Sequence, residues 1–135
     1  MSRFPDAVQM LKERIEMMPD APEVVKVLPV DFLEHLPMVH VTSGGGVESA
    51  IDRMERVNVD VYAYFPPETE EVSAEALAGR IHDWLVPGWG ASGSFEVPSG
   101  LADDCVCDPI PVPVPYPIDD VALVSGAYHV TSRRQ

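Results

Sequence analysis

The stretch "VNVDVYAYF" at residues 57–65 decides the fold of this chain. Its odd positions are all apolar, from Val57 to Phe65, whereas its even positions are polar or aromatic. Successive side chains of a strand point to opposite faces, so this alternation predicts a β-strand with one buried face. A strand with one polar face is typical of an antiparallel sheet that is covered on one side.

Two amphipathic helices are expected to supply that cover. Residues 4–18 have apolar side chains at helical spacing, with Pro5 and Asp6 suited to the first turn. Residues 73–85 follow the same pattern, and Ser73 is the expected N-cap. The two apolar faces consist of Val8, Leu11, Ile15 and Met18 in the first helix and of Leu77, Ala78, Ile81, Trp84 and Leu85 in the second.

Further strand candidates precede and follow residues 57–85 in the sequence, and a bulge is expected at Gly126. Together the segments predict a single α+β domain over residues 1–135. Two helices pack on one face of a mostly antiparallel sheet of about four or five strands. The additional candidates are "EVVKVLP" (23–29), "MVHVTS" (38–43), "SGSFEVPSG" (92–100) and "DVALVSGAYHVTS" (120–132).

A long hairpin loop is expected between two of these strands, at "GGGVESAIDRMER" (44–56). Three consecutive glycines are costly to order, so we expect this loop to be mobile.

The charge balance bears on possible partners. The chain has 22 Asp and Glu against 9 Lys and Arg, a net charge of −13. Affinity for nucleic acid comes largely from cationic side chains on phosphates, so tight binding to DNA or RNA is not expected, nor is binding to an anionic membrane. No apolar run has the ~18 residues of a membrane span, and no targeting segment is evident. We expect a soluble protein of the compartment in which it is made.

The motifs that could indicate chemistry are weak. "GWGASG" (88–93) matches G-x-G-x-x-G but follows a helix instead of opening one, so we interpret it as a turn. Cys105 and Cys107 are too close together for a disulfide or a typical zinc pair, despite Asp103, Asp104 and Asp108 nearby. The four histidines form no compact metal spacing. We expect no enzyme activity, no cofactor and no metal.

A proline stands at every odd position from Pro109 to Pro117. No P-x-x-P occurs within this run, which argues against an SH3 ligand, and no second domain follows that a linker would connect. An edge strand that pairs on one side and a polyproline II segment both stay open. In either case the apolar side chains between the prolines are expected to cover one surface, on the chain's own sheet or on a neighbouring subunit.

The even positions of the opening strand include Tyr62 and Tyr64. Either a loop half-covers them, as is common for tyrosine, or they contact another subunit, where tyrosine is enriched.

The order of these segments resembles the tail terminator (tail-completion) proteins of long non-contractile-tailed phages. The similarity covers most of the chain. It rests on "FPDAVQMLKERI" (4–15), "VLPVDFLEHLPMVHVTSGGG" (27–46), "RVNVDVYAY" (56–64), "AEALAGRIHDWL" (74–85) and "AYHVTSRR" (127–134).

The resemblance implies a single tail-terminator-like domain that forms a hexameric ring at the head-proximal end of the tail. Such a ring caps the tail tube, ends its polymerisation and provides the surface that joins the head. The implied partners are other copies of the chain, the major tail tube protein and the head–tail connector protein, assembled in the host cytoplasm into the virion. DNA would pass through the ring, and we expect part of the negative charge to line its bore.

The resemblance implies no catalytic residues, and residues 43–56 would be an assembly loop. Alternatives are another head–tail connector or neck protein, or a monomeric ligand-binding module with a cleft near residues 88–93. A small hydrolase or metal-dependent enzyme is least favoured. The candidate interface residues are Gly44, Gly45, Gly46, Val47, Ile51, Arg53, Met54, Arg56, Tyr62, Tyr64, Ile110, Val112, Val114 and Tyr116.

Overall fold

The chain forms two α-helices and eight strands in a computed structural model that describes residues 3–66, 72–87 and 93–135. The helices are α1 (Ala7–Glu16) and α2 (Ala74–Leu85), with a short 3-10 helix at Phe32–Glu34. The strands are β1 (Glu23–Val25), β2 (Met38–Glu48), β3 (Asp52–Tyr64), β4 (Phe95–Val97), β5 (Gly100–Ala102), β6 (Asp104–Cys107), β7 (Val112–Val114) and β8 (Val121–Arg133).

The main sheet has the order β1-β2-β3-β8-β6, and β7 also pairs with β8. All pairs in it are antiparallel except β1 with β2. The α+β class is therefore confirmed. The sheet has six strands, more than the four or five expected, because β6 and β7 both pair with β8 on the side away from β3.

The core lies between the helices and one face of this sheet. The expected odd positions of β3 from Val57 to Ala63 are buried there, together with α1 and α2 side chains and Tyr128 of β8. Phe65 is an exception: it lies beyond the end of β3 and is 60 % exposed, so its expected place in the core was wrong. We call the opposite face of the sheet the outer face.

The two helix starts are capped by side chains. Ser73 is the N-cap of α2, as expected, and its Oγ accepts from Ala76 N at 3.1 Å. In α1 the N-cap is Asp6, whose Oδ1 accepts from Gln9 N at 3.1 Å, so Pro5 precedes the helix instead of lying in its first turn. An Asp cap satisfies an otherwise unpaired backbone N–H, and this sets the helix start at Ala7.

Removal of the α2 cap is expected to lower the free energy of unfolding. Ser73→Ala leaves the N–H of Ala76 without its side-chain acceptor and should cost about 1 kcal/mol in urea denaturation. Ser73→Asp keeps an acceptor and is the control. Equal midpoints for the alanine variant and the wild type would contradict a capping role.

The segment expected to be a mobile loop is instead most of a long hairpin. β2 runs to Glu48 and β3 begins at Asp52, so only residues 49–51 form the turn. Ser49 closes this turn: its Oγ accepts from Asp52 N at 3.1 Å, and its N donates to Asp52 O at 2.8 Å. The glycines produce a register shift between Ser43 and Gly46 without ending the pairing.

Pairing along the last strand is also more regular than expected. β8 pairs with β3 without a register shift from Val121 to Arg133, so no bulge occurs at Gly126. Glycine allows a close approach there: a Cβ on Gly126 would lie only 3.1 Å from the backbone of Pro111. The close approach of the proline run to β8 therefore depends on a missing side chain.

The remaining strands form a small second sheet. The strand expected within residues 92–100 is β4, which pairs with β5. Ser99, in the turn between them, donates from its N to Glu13 Oε1 at 2.9 Å and so fastens this hairpin to α1. Among the described residues, neither helix has the length and apolar character needed to cross a bilayer.

Candidate functional site

The hairpin formed by β2 and β3 projects from the helix-covered part of the sheet. Every residue from Ser43 to Asp52 is exposed. Apolar side chains are among them: Ile51 at the turn is 70 % exposed and Val47 68 %. Met54 follows at 38 %. The structure thus places the expected assembly residues of 44–54 together, on a protruding end of the sheet.

Two expected interface arginines lie on the β3 arm of this hairpin. Arg53 makes salt bridges to Glu55 at 3.2 Å and to Glu48 at 3.7 Å, so its charge is already matched. Arg56 is exposed, and its Nε donates to Asn58 Oδ1 at 3.1 Å. Of the two, Arg56 is the one in no salt bridge with a described residue.

The glycines give the hairpin its shape. Gly45 has φ +86°, a conformation that glycine adopts without strain. Gly46 lies so close to β3 that a Cβ would overlap the carbonyl oxygen of Met54. Gly44 is less constrained, because a Cβ there would meet only side-chain atoms, at 3.1 Å.

The two tyrosines of β3 are covered by the chain itself. Tyr62 is 7 % exposed and packs edge-to-face against Phe32 at 5.3 Å and Tyr116 at 5.6 Å. Tyr64 donates its hydroxyl hydrogen to Leu33 O at 2.7 Å. The loop carrying the 3-10 helix thus covers this part of the outer face. The first of the two alternatives holds, and Tyr62 is not available to a neighbouring subunit.

The proline run is a one-sided edge strand, but only at residues 112–114, where β7 pairs with β8. Its apolar residues do not all lie on one surface. Tyr116 packs on Tyr62, whereas Val112 and Val114 are exposed on the outer face, opposite Ser125 and Leu123. Ile110 lines a groove beside α2 instead. Val112, Val114 and Tyr116 thus share the outer face, and only Ile110 departs from the expected single surface.

That groove is a feature that the sequence did not indicate. It encloses about 400 Å³ between α2 and the proline run. Apolar atoms of Ala78, Ile110 and Val124 line it, and the carboxylates of Glu75 and Asp83 lie at its helix wall. Gly79 also lines the groove, and a Cβ there would meet nothing within 4 Å.

A buried polar contact lies next to the groove. His82, which also lines the groove, has its Nδ1 3.1 Å from the hydroxyl oxygen of Tyr128. Burial raises the pKa of the Tyr128 hydroxyl far above its usual value, so this group stays protonated at neutral pH. The contact joins α2 to the sheet.

The two cysteines are free, and both lie in β6. Burial raises the pKa of the Cys105 thiol to about 12 and also raises the pKa of Cys107. Metal ligation and nucleophilic attack both need the thiolate. The environment of this pair therefore favours neutral thiols that pack beside the core.

One compact group of possible metal ligands lies outside the motifs considered above. Ligand atoms of Asp31, Glu34 and His35 lie within 4.8 Å of one another. Hydrogen bonding to Asp31 raises the pKa of His35, and the two side chains are 3.0 Å apart. Their spacing of three and four residues was visible in the sequence. All three are exposed and Asp31 already pairs with His35, so we assign the group no ligand.

The G-x-G-x-x-G motif lies outside the described residues except for Gly93. Comparison with protein-family models and with curated proteins finds no match for the chain.

Proposed function

We propose that this protein is a structural subunit of a phage tail. Copies of it form a ring, hexameric by the resemblance of its sequence, that caps the tail tube and ends tube polymerisation. The opposite side of the ring joins the head through the connector protein, and part of the subunit's negative charge lines the bore. The role needs no catalytic group.

The observation that carries this proposal is the protruding end of the β2–β3 hairpin. Three apolar side chains on it reach solvent: Val47 and Ile51 are 68 % and 70 % exposed, and Met54 is 38 % exposed. Apolar side chains grouped on a protruding element mark an interaction surface. The α+β core behind the hairpin, with both helices on one face, matches the architecture that the resemblance implies.

A ligand-binding module is the second candidate, because the groove beside α2 has a volume typical of small-molecule pockets. The two functions differ in which element they use. A module would depend on the groove alone, whereas a tail cap depends on the hairpin.

The test is a tube-length assay with tubes polymerised from the major tail protein of the same phage. We expect the wild type to stop tube growth and to appear as a ring at one tube end in negative-stain images. Val47→Asp with Ile51→Asp should abolish capping while leaving the circular dichroism spectrum unchanged, since both residues are exposed.

Val30→Asp is the matched control, because Val30 is fully exposed but lies far from the hairpin in sequence and outside the sheet. Tubes that grow to the same length with and without the wild-type protein would overturn the proposal. So would equal capping by the hairpin double variant.

A further inference from the structure

Electrical charge is unevenly divided over the molecule. We define the hairpin end as residues 43–56 and 129–135, with Arg3, Asp103 and Asp104, the further charged residues that bond or pair with residues 131–135. It contains five of the nine Lys and Arg of the chain, and five Asp and Glu, so its net charge is zero. Its arginines are Arg3, Arg53, Arg56, Arg133 and Arg134, and its acids are Glu48, Asp52, Glu55, Asp103 and Asp104.

The rest of the described chain is strongly acidic. It contains 4 Lys and Arg against 14 Asp and Glu, a charge of −10. Copies of such a protein repel one another through these acidic surfaces. The repulsion is smallest, and turns to attraction locally, where the arginines of one hairpin end face the acidic body of another copy. Charge complementarity therefore favours contacts between unlike surfaces.

The groove beside α2 offers both carboxylates and apolar atoms, which complement the arginines and the apolar side chains of the hairpin end. Glu75 and Asp83 are exposed on its helix wall and form no salt bridge with a described residue. They lie eight residues apart, which is about 12 Å along the helix. Between them the groove offers apolar atoms of Ala78, Ile110 and Val124. An apolar side chain with guanidinium groups near it would pack on the apolar atoms and pair with the carboxylates.

We propose that the hairpin end of one copy docks in the α2 groove of the next copy. Ile51 packs against the apolar floor, and the guanidinium groups of Arg56 and Arg134 face Glu75 and Asp83. Both arginines are exposed and in no salt bridge with a described residue. Within the monomer Arg56 donates to Asn58, and Arg134 donates to Ala50 O and lies 4.4 Å from the Phe4 ring. This inference rests on the ring in the proposed function and names the surfaces that build it.

The contact must be between copies, because the two surfaces of one copy are too far apart. Val124 at the groove pairs with Val61 of β3, and ten residues separate Val61 from Ile51. At about 3.4 Å per residue this is a distance of roughly 34 Å. A contact between two different surfaces is heterologous, and repeated contacts of this kind generate a ring when the rotation closes.

Disulfide trapping tests the contact directly. We expect Ile51→Cys combined with Gly79→Cys to give a ladder of covalent oligomers under mild oxidation, ending at the closed ring, on non-reducing gels. Gly79 tolerates the change because its Cβ would point into open space. The two single variants control for Cys105 and Cys107. Ile51→Cys with Val30→Cys is the matched pair, and it should stay monomeric.

A charge reversal provides a second readout. Glu75→Arg with Asp83→Arg in the trapping background should reduce the cross-linked fraction about tenfold, as expected for loss of two partly exposed ion pairs. Additional Arg56→Glu and Arg134→Glu changes should restore it. The inference would be overturned if the cross-linked fraction of the 51–79 pair did not exceed that of the 51–30 pair. It would also be overturned if the charge reversal left that fraction unchanged.

The outcomes separate this inference from the proposed function. Wild-type rings at tube ends without 51–79 cross-links would keep the tail cap and refute this interface. Cross-linked ladders from a protein that leaves tube length unchanged would keep the interface and refute the cap.

Discussion

Tyr128→Ala should lower the free energy of unfolding by about 3–5 kcal/mol, the range for loss of a large buried aromatic side chain. Tyr128 is 1 % exposed and is the largest of the fully buried side chains. It lies opposite Val57 in the middle of the sheet and reaches His82 of α2. Truncation would therefore leave a cavity at the point where α2 contacts the sheet, and the wall atoms would lose contacts that no other side chain can replace.

Urea denaturation followed by circular dichroism measures this effect, and Tyr128→Phe is its matched control. Phenylalanine keeps the ring volume and removes only the hydroxyl group, so it should cost about 1 kcal/mol. His82 is half-buried and can bond to water instead. Equal losses for both variants would mean that the hydroxyl group, with its hydrogen bonds to His82 and Cys107, and not the filled volume, carries the stabilisation.

Gly46→Ala is expected to have the second-largest effect, a loss of about 1–3 kcal/mol in stability, as for other overpacked sites. The new Cβ would overlap the backbone of Met54 and Glu55 on the paired strand, and backbone atoms cannot rotate aside as a side chain can. The hairpin end must then separate or change register. We therefore expect this variant to fail in the tube-length assay as well, even where most of the protein remains folded.

The neighbouring glycines serve as controls within the same hairpin. Gly44→Ala meets only the side chains of Arg56 and Asn58, which can move, so its cost should be within about 0.5 kcal/mol. Gly45→Ala has free space but keeps a left-handed backbone, so it should cost about 1 kcal/mol. A cost for Gly44→Ala as large as that for Gly46→Ala would contradict the backbone clash.

Much of the fold was predictable because its signals are local. The alternation from Val57 to Ala63 and the helical spacing in α2 reflect which neighbours in the chain share a face, and both elements were confirmed. The Ser73 cap is likewise a contact between residues three apart. The hairpin was mistaken for a loop because a glycine triplet usually interrupts a strand. Only the close approach of Met54 shows why glycine is required at Gly46.

The candidate surfaces were predictable only in part. The resemblance implied an assembly role for residues 43–56 before the shape of the hairpin was known, and that role stays a prediction. Tyr62 looked equally suitable on the polar face of its strand. It is buried by Phe32 and Tyr116, which lie 30 residues before it and 54 residues after it in the chain.

The sequence by itself determined the two helices, the central part of β3 and which face of each is apolar, because side-chain periodicity depends on the backbone geometry of adjacent residues. Only the tertiary structure decided what covers the outer face and that α2 and the proline run enclose a groove. Those features depend on contacts between residues far apart in the chain. Gly79 and Ile110 line the same groove although they are 31 residues apart in the chain.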